Sequence, residues 1–173
     1  MKNIFKSIAI ASVAVIGLSN SSFAQASATA AASANIITPI SITKVTDMNF
    51  GNVAVSSTAG GTVVLAPAGT RTTGGTGVTL PSTTGTVAAA SFTVTGQASF
   101  TYTITLPSSC TISDGSSHTM TVNAFTSSPS ATGTLSSGGT QTLTVGGTLT
   151  VAAAQAANSY TNATGVPETV NYN

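Results

Sequence analysis

The feature that most constrains this chain is a period of two. Phe100-Thr101-Tyr102-Thr103-Ile104-Thr105-Leu106 puts a large apolar side chain at every even position and Thr at every odd one. A helix, whose faces recur every 3.6 residues, cannot gather that pattern onto one side. A strand does so directly, because successive side chains point to opposite faces. β-Branched Thr also suits the solvated face of a pleated strand. The same period recurs at Thr62 to Leu65, Ala90 to Thr95, Met120 to Ala124, Thr142 to Val145 and Thr148 to Val151. The last residues set Val170 and Tyr172 on one face.

Glycine pairs punctuate these runs at Gly60-Gly61, Gly74-Gly75, Gly138-Gly139 and Gly146-Gly147, and Asp114-Gly115 is a further turn signal. Val145-Gly146-Gly147-Thr148 lies between two alternating runs and predicts a two-residue hairpin connection. Residues 66–86 are rich in Gly, Thr and Pro and predict a long surface loop carrying Arg71, in which Val78 and Leu80 can pair at an edge. Residues 126–134, with Pro129, predict a second loop. Ala24 to Ala34 has no helical apolar stripe and reads as a flexible leader. Val151 to Ala157 reads as a strand running into a loop. Many short strands between close turn signals predict an all-β fold, an immunoglobulin-like antiparallel β-sandwich.

Charge restricts function. Only 4% of the 173 residues are charged, against about 25% in an ordinary soluble domain. Four basic residues cannot build the patch that neutralises a phosphate backbone, so nucleic acid is not expected as a partner. A catalytic pocket draws on several converging titratable groups, and this chain offers few.

The first residues read as a cleaved signal peptide. Lys2 and Lys6 precede an apolar stretch, Ile8 to Leu18, too short to span a bilayer. Ser22-Phe23-Ala24 places small residues for cleavage after Ala24, with Ala26 as the alternative. The domains expected are therefore a signal peptide at 1–24, an Ala/Ser-rich leader at 25–35 and a β-sandwich at 36–173. Removal of the signal leaves Lys44 and Arg71 against Asp47, Asp114 and Glu168, a formal net charge of −1. No second apolar run is long enough for an integral membrane span. The location expected is the periplasm, cell surface or exterior. Cys110 has no partner for an internal disulfide, and reads as a small apolar residue at a strand end or as a thiol for pairing between chains.

Four stretches resemble the bacterial DUF4402 family of exported β proteins. They are Ile40-Ser41-Ile42-Thr43-Lys44 with Asp47-Met48-Asn49-Phe50-Gly51; Gly60-Gly61-Thr62-Val63; Ala90 to Gly96 running into Tyr102 to Pro107; and Val145 to Leu149 through Tyr160-Thr161 to Thr169-Val170-Asn171-Tyr172-Asn173. The resemblance covers most of residues 36–173. It implies an exported β-sandwich and assigns no activity. Val166-Pro167-Glu168 falls where the last strand of that pattern would begin, so the strand is expected to start after Pro167 or lie at an edge. A looser resemblance is to chaperone–usher pilin and spore-coat-U-like subunits, which implies a penultimate aromatic in the closing strand, here Tyr172 after Val170. It also implies an N-terminal strand-donation arm, here residues 34–42 with Ile36, Ile40 and Ile42 on one face. The simpler reading of the same segment is the first strand of its own domain.

Candidate chemistry is sparse. Asp114, Ser116 and His118 contain the residue types of a catalytic triad but crowd into five residues of one turn. Asp114 with serines, or Asp47 with Asn49, offers oxygen ligands, against which an Asx turn at Asn49-Phe50-Gly51 is the simpler expectation. Gly74-Gly75-Thr76-Gly77 lacks the lysine and helix of a phosphate loop. Lys44, Glu168 and Asn171 hold the residue types of an intramolecular isopeptide bond. Asn162-Ala163-Thr164 fits a glycosylation sequon. No catalytic residue, cofactor or metal is expected. The function expected is a non-catalytic exported structural subunit of a fibre or coat, assembling through its strand edges with itself or other surface proteins. The alternative is a monomeric secreted adhesion or binding module using loops 66–86 and 126–134.

Overall fold

The structure, a computed structural model, describes residues 25–173; the expected signal peptide and cleavage after Ala24 lie outside them. Residues 25–35 carry no secondary structure and are exposed. From Ile36 to Asn173 the chain forms one compact unit. Its strands are β1 (Ser41–Thr46), β2 (Asn49–Phe50), β3 (Ala54–Val55), β4 (Gly61–Leu65), β5 (Arg71–Gly74), β6 (Val78–Thr79), β7 (Val87–Ala88), β8 (Ala90–Thr95), β9 (Thr101–Thr105), β10 (Ser109–Ser113), β11 (Thr119–Ser128), β12 (Thr132–Thr134), β13 (Thr140–Val151) and β14 (Thr169–Tyr172). Every pairing is antiparallel, and the described residues contain no helix. The all-β expectation holds.

The main sheet runs β1-β8-β13-β11-β10, with β4 and β5 branching from β13. A second sheet, β12-β9-β14, has three strands; β2-β7 and β3-β6 are short pairs. The period of two explains how the sheets meet. Ala90, Phe92 and Val94 of β8, Tyr102 and Ile104 of β9, Leu143 and Val145 of β13, and Val170 of β14 form one buried cluster with Leu135. The intervening Thr residues of β9 stay exposed. A second cluster joins Phe50, Val63, Leu65, Val78 and Val122 to Leu149 and Val151 of β13. Phe100, at the head of the clearest alternating run, is 41% exposed and packs edge-on against Tyr172 at 5.7 Å.

Three sequence expectations are corrected. Gly146-Gly147 is not a hairpin turn but the middle of β13, a 12-residue strand. β13 pairs β8 through Thr140 to Val145, then β4 through Gly147 to Val151, and β11 on its other side. Glycine is needed there for close approach. A Cβ on Gly146 would overlap the Leu65 carbonyl oxygen, and one on Gly147 would meet the Phe125 ring. Phe125 follows Ala124, whose φ of 47° marks a bulge where β11 slips one residue against β13. Residues 66–86 are not one long loop. A short turn leads straight back into β5; the pairing expected at Val78 is present, with Val78–Thr79 against Ala54–Val55. Turn-forming residues there set the corners while Thr supplies the strands. Residues 126–134 likewise are mostly strand, since β11 runs to Ser128 and β12 begins at Thr132.

Candidate functional site

Each proposed site residue can be placed. Ile36 is 95% exposed. Ile40 and Ile42 are half-buried against the first core cluster, and β1 pairs with β8 of the same chain. Between Ile36 and Ile40, Thr38 is clamped. Its N–H donates to Gln97 Oε1 at 3.2 Å, and its carbonyl accepts the Tyr172 hydroxyl at 2.7 Å. The same hydroxyl accepts the Gln97 N–H at 2.5 Å. Tyr172 therefore ties the closing strand to the segment before β1. Val170, in the same strand, is buried. β14 starts after Pro167 and is an edge strand, bonded only to β9.

The molecule carries an open groove of about 1520 Å³. Its origin lies in the unequal sheets. β12-β9-β14 covers the part of the main sheet contributing to the first cluster, while Ile112, Met120 and Val122 of β10 and β11 face the groove. The irregular segment 155–168 forms another wall. It is tied down where Ser113 and Thr161 exchange backbone hydrogen bonds, where Gln155 Nε2 donates to the Thr119 carbonyl and where Asn158 donates to Asp114.

Glu168 and Cys110 line this groove together with Lys44, Asp47 and Tyr160. Glu168 Oε1 is a buried oxygen with no hydrogen-bond partner. Burial pushes the Glu168 carboxyl up to about 7, against a hydrogen bond from its own backbone that favours the charged form. Burial also pushes up the Cys110 thiol; the Asn162 side chain opposes this and the Glu168 charge adds to it. A thiol held in its neutral form is a poor nucleophile.

In the turn after β10, His118 Nδ1 lies 2.7 Å from Asp114 Oδ2. The Ser116 N–H and Asn158 Nδ2 also donate to this carboxylate, at 2.8 and 3.2 Å. His118 above all holds Asp114 down to about 2. Ser116 meets the pair through its backbone N–H, which caps the turn; its hydroxyl joins neither partner. Asn49 Oδ1 accepts the Gly51 N–H at 2.8 Å, the Asx turn expected there. Asp47 takes Lys44 at 2.6 Å on the exposed surface. Asn171 is exposed on β14 opposite Thr103. Asn162 Oδ1 accepts both the N–H and the hydroxyl of Thr164.

Two structural keystones escaped the sequence reading. Arg71 donates to the carbonyls of Phe50, of Asn52 at 2.8 Å and of Thr84 at 3.3 Å, fastening three segments. Gln141 Oε1 accepts the buried Tyr102 hydroxyl at 2.7 Å and the Thr134 N–H at 2.9 Å, joining β13 to the second sheet. Both lie in polar stretches whose partners are distant in sequence, so no local pattern marks them.

These features define an all-β protein of antiparallel sheets with an under-covered groove. The profile of a domain of unknown function, DUF4402, matches residues 40–172, so the chain belongs to that family. No curated protein and no solved structure matches it. No helix among the described residues is long and apolar enough to cross a membrane.

Proposed function

We propose that this protein is exported and serves as a non-catalytic structural subunit at the cell surface, assembling through its strand edges. The observation that carries the reading is Ile36, 95% exposed at the head of an uncharged segment whose next anchor is Thr38. A large aliphatic side chain held in water gains about 1.5–3 kcal/mol when covered. The edges of β1, β5, β10, β12 and β14 offer backbone groups for added strands. A formal charge of −1 after signal removal leaves little repulsion between copies. An immunoglobulin-like arrangement and the pilin-like mode of assembly belong to this proposal. The alternative is an adhesion module using residues 66–86, in which only Arg71–Gly74 and Val78–Thr79 are strand, and residues 126–134, most of which are strand.

Cell fractionation with intact-mass measurement, followed by electron microscopy of the purified mature chain, tests this function. The expected result is a chain lacking residues 1–24 in the exported fraction that forms filaments or a coat. A cytosolic chain with its leader intact, or a uniform monomer at high concentration, would refute it.

A further inference from the structure

Residues 162–168 hang between two fixed points. Before them Thr161 exchanges backbone hydrogen bonds with Ser113, and after them Thr169 pairs with Thr105. Among the described residues, the backbone bonds of this stretch are only its own. The Gly165 N–H donates to the Asn162 carbonyl, and the Thr164 N–H donates to Asn162 Oδ1. Gly165 has a φ of 73° and open space where a Cβ would stand, so the chain turns there clear of the domain. Asn162, Val166 and Glu168 are half-buried, while Ala163, Thr164, Gly165 and Pro167 are exposed.

The Asn162 side chain and the Glu168 charge both act on the Cys110 thiol of β10, so both ends of the stretch reach over that strand. β10 itself is paired along its length with β11. Glu168 shares the groove with Cys110, with Tyr160 of its own segment, and with Lys44 and Asp47, which pair with each other at 2.6 Å. Its Oε1 is buried without a partner. Burial pushes the carboxyl up to about 7, eased only by its own backbone hydrogen bond. A neutral carboxyl fits such a place at modest cost; an ionised one, buried and unpaired, does not. Water reaches Oε1 only if a neighbour moves. The stretch whose backbone is bonded only to itself is the one free to do so.

We propose that residues 162–168 form a strap over β10 that lifts when Glu168 is ionised and settles when it is protonated, uncovering and covering Cys110. The inference goes beyond the assembly reading and stands without it. In the settled strap the Glu168 carboxyl is raised to about 7, and in the lifted strap it returns to the ordinary 4.5. The settled form is therefore favoured in full below pH about 4.5, loses ground as pH rises towards about 7, and has lost all of that advantage above. Solvent screening of a half-buried group reduces the effect to about a tenfold rise in lifting. The other end of the wall stays in place, because Asp114, held down to about 2, keeps its charge and accepts Asn158 across this range.

Hydrogen exchange of the mature chain at pH 5 and pH 8, corrected for the intrinsic rate at each pH, reads the lifting directly. In the parent, opening at 162–168 should exceed that of β8 and β9 at both pH values and rise about tenfold at pH 8. Glu168→Gln should keep the low value at both. Equal opening at the two pH values in the parent, a rise that persists in Glu168→Gln, or strap amides that open only as often as β8 and β9 overturns the proposal. The protein's single cysteine gives a second readout that charge alone moves the other way. Cys110 is alkylated at pH 8 with an uncharged maleimide, and the rate is scaled to that of the urea-unfolded chain. The Glu168 charge pushes the thiol up, so by itself it would make the parent react more slowly than Glu168→Gln. A lifted strap makes the parent the faster of the two, and a parent that is slower or equal overturns the strap.

Discussion

Gly146 and Gly147 are adjacent in β13, yet alanine is expected to act very differently at the two positions. At Gly146 the new Cβ would overlap the Leu65 carbonyl oxygen and lie 2.7 Å from Ala66 C and 2.9 Å from Pro67 N. All three are backbone atoms at the end of β4, and Leu65 is itself fully buried. Relief requires that end of β4 to retreat by about 1 Å, given carbon contacts of roughly 3.5 Å. That retreat strains the Gly147–Leu65 pairing and the second core cluster. Overpacking of this kind costs about 1–3 kcal/mol, the upper end where backbone must move. The smaller unfolded-state entropy of Ala returns about 0.4–1 kcal/mol. The net expectation for Gly146→Ala is a loss of about 2–3 kcal/mol, or a fall in Tm of about 10 °C. At Gly147 the nearest atoms are Phe125 Cδ1 at 3.0 Å, Phe125 Cε1 at 3.2 Å and Val122 Cγ1 at 3.2 Å. A half-buried ring can tilt, and the entropy gain offsets the crowding, so Gly147→Ala should stay within about 0.5 kcal/mol of the parent. Urea unfolding followed by far-ultraviolet circular dichroism measures both. A neutral Gly146→Ala, or a Gly147→Ala that costs more than Gly146→Ala, would refute the close-approach account of this glycine pair.

Three further outcomes follow from the same structure. Gln141→Ala strands the Tyr102 hydroxyl and the Thr134 N–H, and should cost about 2 kcal/mol in urea unfolding. Arg71→Ala removes the donor to three carbonyls and should cost about 1–2 kcal/mol, with Arg71→Lys recovering only part, because an ammonium cannot span the fork. Glu168 has a native pKa raised by burial from 4.5 to about 7, so its charge penalises the folded state. The penalty is absent below pH about 4.5, grows between there and pH about 7, and is complete above. The full shift corresponds to about 3 kcal/mol, which solvent screening of a half-buried group reduces to about 1.5 kcal/mol. Glu168→Gln should therefore stabilise the protein by that amount at pH 8 and leave it unchanged at pH 4; an equal effect at both pH values would contradict the assignment.

Strand identity was legible wherever burial follows a local period. Phe92 and Val94 in β8, and Tyr102 and Ile104 in β9, fall inside as their parity requires. Val170 in the closing strand is buried as well. The misreadings share one cause. Glycine reads locally as a turn, whereas Gly146 and Gly147 answer to β4 and to the bulge at Ala124, contacts that no window of sequence contains. Similarly, Thr-rich residues 71–74 look like loop until β4 supplies an adjacent ladder. The groove was not legible at all. It arises from a mismatch between two sheets and from the path of segment 155–168, and neither is encoded by residue spacing. Glu168 is marked in the sequence by its place before the last strand and as an isopeptide residue type; its buried, unpartnered oxygen is a property of the assembled fold.

The central claim is that copies of this chain join through the exposed segment before Thr38. Sedimentation velocity of the mature protein, beside Ile36→Asp, tests it most directly. Ile36 is 95% exposed and contributes almost nothing to its own domain, so the variant should unfold in urea as the parent does. The account predicts concentration-dependent oligomers for the parent and a monomer for Ile36→Asp. Identical sedimentation of the two proteins at every concentration would contradict it.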